Sequence, residues 1–209
     1  MTSHANDVER LVAHVGSSLP ADWPKWPGGW PGQSELALLD AVLSIRAQYG
    51  SPTTGVRPCV TQYKAHRGVE AADDLGALAG YSSDDLVKIL GNRQKTSGRL
   101  KAEAAIDAAR RLSDMGVVHA EQLDPDDERQ RVAYCSVHGL GKVTWHYFCM
   151  LVGRPGTKAD IWVRRFVRDA VGREVASTEA ERLVRQVADE LKVSPTDLDH
   201  AIWRTARKR

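Results

Sequence analysis

The sequence predicts an all-α protein, and three observations carry that prediction. Apolar residues recur at i, i+3, i+4 and i+7 in one segment after another. Helix start and stop signals bracket those segments. No stretch alternates apolar and polar residues convincingly with period two. Roughly ten helices follow from this count.

In chain order, Val8, Leu11, Val12 and Val15 form the first stripe, and Gly16 is expected to end it. Ser34 caps the apolar run SELALLDAVLSIRAQYG, which is expected to stop at Gly50-Ser51-Pro52. Its apolar residues surround most of the helix, which marks it as centrally buried. Ser82 and Asp85 form a capping box before Leu86, Ile89 and Leu90. The stripe Ala102, Ala105, Ile106, Ala109, Leu112 ends at Gly116. Asp124-Pro125 reads as cap and first residue of the next helix. Further helices are predicted from Lys142 to about Val152 and from Asp160 to Val171. Thr178/Glu181 and Ser194/Asp197 announce two more. No internal repeat is present.

Residues 20–31, PADWPKWPGGWP, interleave Trp23, Trp26 and Trp30 with prolines and read as extended chain. The indoles either plug gaps in a strap or offer a stacking surface for bases.

The 209 residues are 42% hydrophobic and 27% charged, enough to bury a core in one large domain or two small lobes. MTSHANDVER shows no basic-then-apolar signal pattern, so no secretion signal is expected, and no apolar run approaches a membrane span. Cys59, Cys135 and Cys149 form no CxxC pair, which argues against a cysteine-built zinc or iron–sulfur site. A reducing, cytoplasmic setting is expected, with no membrane partner. The net charge of +2 conceals segregation. Glu70–Asp85 and Glu121–Glu128 each hold five acids and no base, whereas His138–Arg173 holds seven Lys/Arg against Asp160 and Asp169. Arg93, Lys95, Arg99 and Lys101 form another acid-free group. Such segregation either builds a cationic face for a polyanion or reflects solvated helix faces.

The stretch HGLGKVTWHY, 138–147, carries the most specific signal. A helix ends near Val137, Gly139-Leu140-Gly141 turns the chain, and Lys142 opens another helix. Glycines there permit positive φ and let backbone N–H groups approach an anion, with Lys142 adding charge. Such a device grips phosphate without reading base sequence. Downstream, Gly153-Arg154-Pro155-Gly156 leads to ADIWVRR, 159–165, where a lone Asp opens a basic helix.

Together these segments resemble the helix-hairpin-helix DNA glycosylase superfamily (HhH-GPD), which includes endonuclease III-like and alkyladenine-type enzymes. The superfamily pattern is apolar-Gly-apolar-Gly-basic-x-Thr, a helix, then apolar-Asp-x-x-apolar-x-Arg. Here HGLGKVT and ADIWVRR meet it. The resemblance spans about 34–209 and is motif-specific in 138–165. It implies two helical lobes flanking a DNA-binding cleft. One is a six-helix lobe, 33–152, with the helix-hairpin-helix at about 128–152. The other joins 1–32 to 153–209. It also implies double-stranded DNA as partner, a monomer, and a nucleoid-associated enzyme of base excision repair.

By the same resemblance Asp160 is the catalytic residue. A carboxylate stabilises the sugar cation that develops as an N-glycosidic bond breaks, and orients the attacking water. Asp is also a favoured N-cap, so both roles stand open. The DNA-contacting set is Gly139, Leu140, Gly141, Lys142, Thr144, Arg164, Arg165 and Lys95, with Arg46 and Gln48 as candidates to fill the gap left by a flipped base. Trp145, His146 and Trp30 are candidates for the base pocket. Carbonyls near Val137 and Leu140 are candidates for a monovalent sodium or potassium ion; no other cofactor is implied. Lyase-type members carry a Schiff-base lysine where this chain has Val143, so base release without strand cleavage is expected. Some members carry a C-terminal four-cysteine iron–sulfur cluster, and no cysteine follows Cys149 here. The competing readings are a non-catalytic DNA-binding protein of the same fold and a protein-interaction module.

Overall fold

The computed structural model describes residues 2–23, 26, 28–47, 50–51, 54–154 and 160–206. Among them the chain forms eleven α-helices: α1 Thr2–Ser18, α2 Ser34–Leu43, α3 Val56–Arg67, α4 Leu75–Ala79, α5 Ser83–Leu90, α6 Lys101–Ser113, α7 Glu128–Cys135, α8 Lys142–Leu151, α9 Ile161–Val171, α10 Ser177–Leu191 and α11 Pro195–Ala206. The fold is all-α, as the periodicity predicts. Two antiparallel pairs of two-residue strands are the addition: β1 Gly50–Ser51 with β2 Thr54–Gly55, and β3 Lys95–Thr96 with β4 Arg99–Leu100. Strands this short cannot show an alternating pattern. The Ser97-Gly98 turn joining β3 to β4 has φ of 49° and 86°, the positive values a tight hairpin uses. No helix among the described residues is long and apolar enough to cross a membrane.

The chain divides into two compact units, one from residues 28–154 and the other from 1–27 plus 155–209. In the first, every residue of α2 is buried, and α3, α6 and α8 pack around it. Its apolar circumference leaves no face for solvent, so its two acids need partners inside. Glu35 accepts from the Tyr63 hydroxyl at 2.5 Å, from Arg67 Nε at 2.8 Å and from the Asp74 N–H at 3.1 Å. Asp40 accepts from the Trp30 indole at 2.9 Å and from Ser44 Oγ at 3.2 Å. The second unit closes around Leu11, Val15, Val163, Phe166, Leu183, Val187, Leu198 and Ile202, contributed by α1, α9, α10 and α11. Arg173 braces it by bridging Asp7 at 2.7 Å and Glu179 at 2.6 Å.

Several predicted helix ends move. α1 runs through Gly16 to Ser18, because burial of Leu11, Val15 and Leu19 outweighs the roughly 1 kcal/mol that a helical glycine costs. α2 stops at Leu43 rather than Gly50. There Ser44 bonds back to Asp40, and the buried Lys101 Nζ takes the Leu43 carbonyl at 2.8 Å, satisfying a helix-end acceptor. The cap of α7 is Asp127, whose side chain accepts from Arg129 N, while Asp124 makes a turn of its own by accepting from Asp126 N. α10 starts at Ser177, which places Thr178 inside the helix, and Glu181 pairs with Arg185. At Ser82/Asp85 the N-cap half of the box forms, with Ser82 Oγ accepting from Asp85 N at 3.1 Å, while Asp85 Oδ2 accepts from the Ser82 hydroxyl at 2.7 Å rather than from its backbone N–H. At α11 Ser194 accepts from Thr196 N, but Asp197 accepts instead from the Trp26 N–H at 2.8 Å.

The tryptophan strap does structural work at both ends. Trp23 packs on the core of the discontinuous unit. In the other unit, Gly29 lies so close to α8 that a Cβ would sit 2.5 Å from the Leu151 carbonyl, and the Trp30 N–H donates to that carbonyl at 2.6 Å.

Candidate functional site

The hairpin between α7 and α8 is built by two glycines with different jobs. Gly139 has φ of 92°, and a Cβ on it would meet Thr96 Cγ2 at 2.9 Å and Oγ1 at 3.1 Å. Only glycine satisfies both constraints. Gly141 has an extended backbone, φ −160°, and a Cβ there would meet nothing within 4 Å. Its importance cannot be conformational, since any residue adopts that geometry.

The β3–β4 hairpin docks on this turn. Thr96 Oγ1 donates to the Gly139 carbonyl at 3.2 Å, and His138 Nε2 donates to the Ser97 carbonyl at 3.1 Å. Lys95, exposed on β3, is thereby held beside the glycine turn, and Lys142 is exposed at the start of α8. Among the described residues no acceptor meets the N–H groups of Lys142 and Val143, which leaves two helix-start donors unpartnered at the turn. Thr144, a candidate DNA contact, has its partners within the turn. Its hydroxyl donates to the Gly141 carbonyl at 2.7 Å and accepts the Gly141 N–H at 3.0 Å, fixing the turn. Leu140 is half-buried and donates its N–H to the Val137 carbonyl at 3.0 Å. That carbonyl keeps a second lone pair, and an all-carbonyl donor set suits a weakly held monovalent cation.

Two base-pocket candidates in this unit prove to be core residues. Trp145 is fully buried against Tyr134 and Phe148, with its indole N–H on the Pro125 carbonyl at 3.3 Å. Trp30 is 9% exposed, with the Arg57 guanidinium 5.4 Å from its ring and its N–H on Asp40. Neither offers a ring face for a base to cover. His146 is half-buried on α8.

Beyond α2, Arg46 is exposed and has φ of 49°, an unusual value for a residue that is not glycine. Gln48 lies outside the described residues, as do Pro155, Gly156, Lys158 and Ala159 of the loop before Asp160. Lys101, which the sequence places in a basic group of a cationic or solvated face, is instead 2% exposed and has no carboxylate partner among the described residues. Its Nζ donates to the Leu43 carbonyl and, at 2.7 Å, to Gln94 Oε1, tying α6 to the backbone just before the Arg46 turn. Burial lowers its pKa from the ordinary lysine value. The available signal was a lysine at the first position of a helix between Leu100 and Ala102, an apolar setting for an ammonium.

In the discontinuous unit, Asp160 is the N-cap of α9. Its Oδ1 accepts from the Trp162 N–H at 2.8 Å and the Val163 N–H at 3.1 Å. Its Oδ2 has no partner among the described residues. One oxygen therefore fixes the carboxylate and the other is open, so capping and chemistry are compatible in one side chain. Arg165 is exposed, with its guanidinium 5.3 Å from the Trp162 ring centroid. Arg164, expected at phosphate, directs Nε and Nη2 to the Val175 carbonyl at 3.3 and 3.2 Å and braces the end of its own unit.

This arrangement of helices is similar to the fold of solved DNA glycosylases. A Helicobacter pylori 3-methyladenine DNA glycosylase (MagIII), solved with 1,N6-ethenoadenine, superposes with a TM-score of 0.66 at 19% identity, covering 97% of each chain. MBOgg1, solved with a low-affinity DNA ligand, gives 0.56 at 14%, over 84% of this chain and 60% of that one. A thermostable thymine-DNA glycosylase gives 0.54 at 14%, over 99% and 88%. The chain itself belongs to the family described as Domain of unknown function (DUF8548), whose model matches residues 9–207. No curated protein matches the sequence.

Proposed function

We propose that this protein is a monofunctional DNA glycosylase that excises a damaged or modified base from duplex DNA. The observation that carries the reading is the state of Asp160. A carboxylate with one oxygen anchored by two backbone N–H groups and the other open occupies the motif position at which the resembling superfamily places its catalyst. In this reading the glycine turn, Lys142 and Lys95 hold phosphates, Arg165 adds a further contact, and Arg46 fills the space left by the flipped base. The C1′–N bond breaks with its electron pair leaving on the base, and Asp160 stabilises the positive sugar. A water then bonds to C1′ and gives its proton to the carboxylate. Val143 supplies no amine for a Schiff base, so the product is an intact strand with an abasic site. The carbonyls of Val137 and Leu140 are the groups that would hold a monovalent cation, which would supply positive charge beside a phosphate.

The test is a panel of duplexes, each bearing one modified base, incubated with the protein and then treated with hot alkali. Alkali-dependent cleavage at one or more lesions is expected, and no cleavage across a broad panel refutes the reading. A second reading, a DNA-binding protein of this fold without catalysis, is favoured by the same cap, because capping alone accounts for an Asp at that position. Tight binding to abasic DNA with no excision would establish it.

A further inference from the structure

Packing does not explain an amine at Lys101. Its Nζ meets two neutral oxygens, the Leu43 carbonyl at 2.8 Å and Gln94 Oε1 at 2.7 Å, and no carboxylate among the described residues. An ammonium sealed from water without a counter-charge costs free energy, and an apolar side chain of similar length would fill the same space without that cost. The residue also opens α6, where the helix dipole disfavours a cation. The use of such a side chain lies in what it holds.

It holds two segments of the chain. On one side is the end of α2, where Leu43 is the last helical residue and Ser44 is drawn back to Asp40 by its N–H at 2.9 Å and its hydroxyl at 3.2 Å. Arg46 follows three residues after Leu43, exposed, with φ of 49°. A left-handed backbone at a residue with a β-carbon persists only where its surroundings impose it. On the other side is Gln94, whose backbone carbonyl also accepts the Lys101 N–H at 2.9 Å. The next two residues, Lys95 and Thr96, are β3, and Thr96 bonds the Gly139 carbonyl. One side chain thus joins the Arg46 turn to the strand that docks on the glycine hairpin.

We propose that Lys101 is a positioning residue that fixes the Arg46 turn, in its left-handed conformation, against the β3–β4 hairpin. It is 2% exposed, so it acts through Arg46 and not by touching nucleic acid itself. Its part in base excision rests on the proposed function in one respect, that Arg46 enters the gap of an opened duplex. A side chain held in place before binding loses less conformational freedom when it inserts. Phosphate contacts at the glycine turn are made with or without a gap. Loss of the clamp is therefore expected to weaken binding to a gapped duplex more than to an intact one.

The experiment takes two readouts on the full chain, for wild type, Lys101→Met, Arg46→Ala and the double variant. Methionine keeps the length of the lysine stem but donates no hydrogen bond. The first readout is amide hydrogen exchange at Ser44, Ile45 and Ala47, which needs no DNA. Lys101→Met is expected to speed it roughly 10-fold, the loss of about one hydrogen bond, and to leave the amides of α9 in the other unit unchanged. The second is the ratio of affinities for a duplex with one abasic site and the same duplex intact. The wild type is expected to favour the abasic duplex by roughly 10-fold or more, because the cost of unstacking a base is already met. Arg46→Ala and Lys101→Met are each expected to shrink that ratio, and the double variant to shrink it no further. A lysine that only supported the fold would weaken both duplexes alike and leave the ratio intact. Gln94→Ala, an exposed change that removes one of the two acceptors, is expected to shift both readouts the same way by less, and it decides the matter if Lys101→Met does not fold. Unchanged exchange at residues 44–47 overturns the clamp. Faster exchange with a ratio that falls in Arg46→Ala but not in Lys101→Met overturns its part in DNA binding. A wild type with no abasic preference overturns the gap-filling role of Arg46, and exchange alone then judges the clamp.

Discussion

Asp160→Asn separates the two jobs of one side chain. In the native protein Oδ1 takes two backbone N–H groups, at 2.8 and 3.1 Å. Asparagine retains an oxygen at that place, and the two residues are near equals as N-caps. What is lost locally is the attraction of a full negative charge to the start of α9, about 0.3–1 kcal/mol. For a chain of this size that lowers the thermal midpoint by under about 4 °C. The open Oδ2 position becomes an uncharged amide, and removal of an electrostatic stabiliser from a reacting centre costs roughly 100-fold or more in rate. On the proposed reading DNA affinity is expected to hold or tighten, because one negative charge has left the phosphate-facing surface. Asp160→Ala serves as control, losing the charge and also the cap, for about 0.5–2 kcal/mol in stability. The assay is single-turnover excision on the best substrate of the lesion panel, read by alkali cleavage, beside thermal melts and binding anisotropy. A stable Asn variant that excises at the wild-type rate refutes the catalytic assignment. An Asn variant that unfolds shows that the residue is chiefly structural.

Other expectations follow from single contacts. Gly141→Glu should leave the melting temperature nearly unchanged, since a Cβ there meets nothing within 4 Å, yet abolish duplex binding by blocking the turn with a like charge; unchanged affinity removes the hairpin from the functional reading. Gly139→Ala should destabilise the protein by about 2–4 kcal/mol in urea unfolding, combining a left-handed backbone with a 2.9 Å clash on Thr96. Borohydride should trap no covalent DNA adduct, because Val143 stands where a lyase keeps its amine; a trapped adduct would implicate Lys142 or Lys158. The His119 pKa is raised above 6.5, first by its ring hydrogen bond to the Asp73 carbonyl and then by nearby acids, with slight burial opposing. A raised folded-state value means that its contribution is complete below about pH 6.5 and lost as pH rises through the folded value. Melts of wild type and His119→Ala should therefore differ more at pH 6 than at pH 9, and an equal difference at both would remove His119 as the titrating group.

What the sequence made legible is what local chemistry dictates. Gly139 needs positive φ, Asp160 caps the helix it opens, and α2 is apolar on every side, so each is readable without its neighbours. Tertiary contacts set the rest. The end of α2 depends on Lys101, which lies 58 residues further along the chain. Thr96 and Gly139, 43 residues apart, meet only once the β3–β4 hairpin folds down. Trp145 and Trp30 looked like pocket aromatics because composition cannot distinguish a ring packed in a core from one open to a ligand. Arg164 and Arg165 are adjacent in sequence, yet one is bound to the Val175 carbonyl and the other stands over an indole.

The unit formed from both ends of the chain has a consequence for biosynthesis. α1 is made before Val163, Phe166, Leu183 and Leu198, which cover Leu11 and Val15 and come from beyond residue 155. Translation of residues 28–154 takes roughly 6–25 s at about 5–20 residues per second. Throughout that interval the nascent chain carries an apolar helix face with no partner. The contiguous unit of residues 28–154 holds its own core and can close during the wait. A chaperone that shields short apolar stretches on emerging chains would therefore find its target in α1, and release it only when α9–α11 arrive.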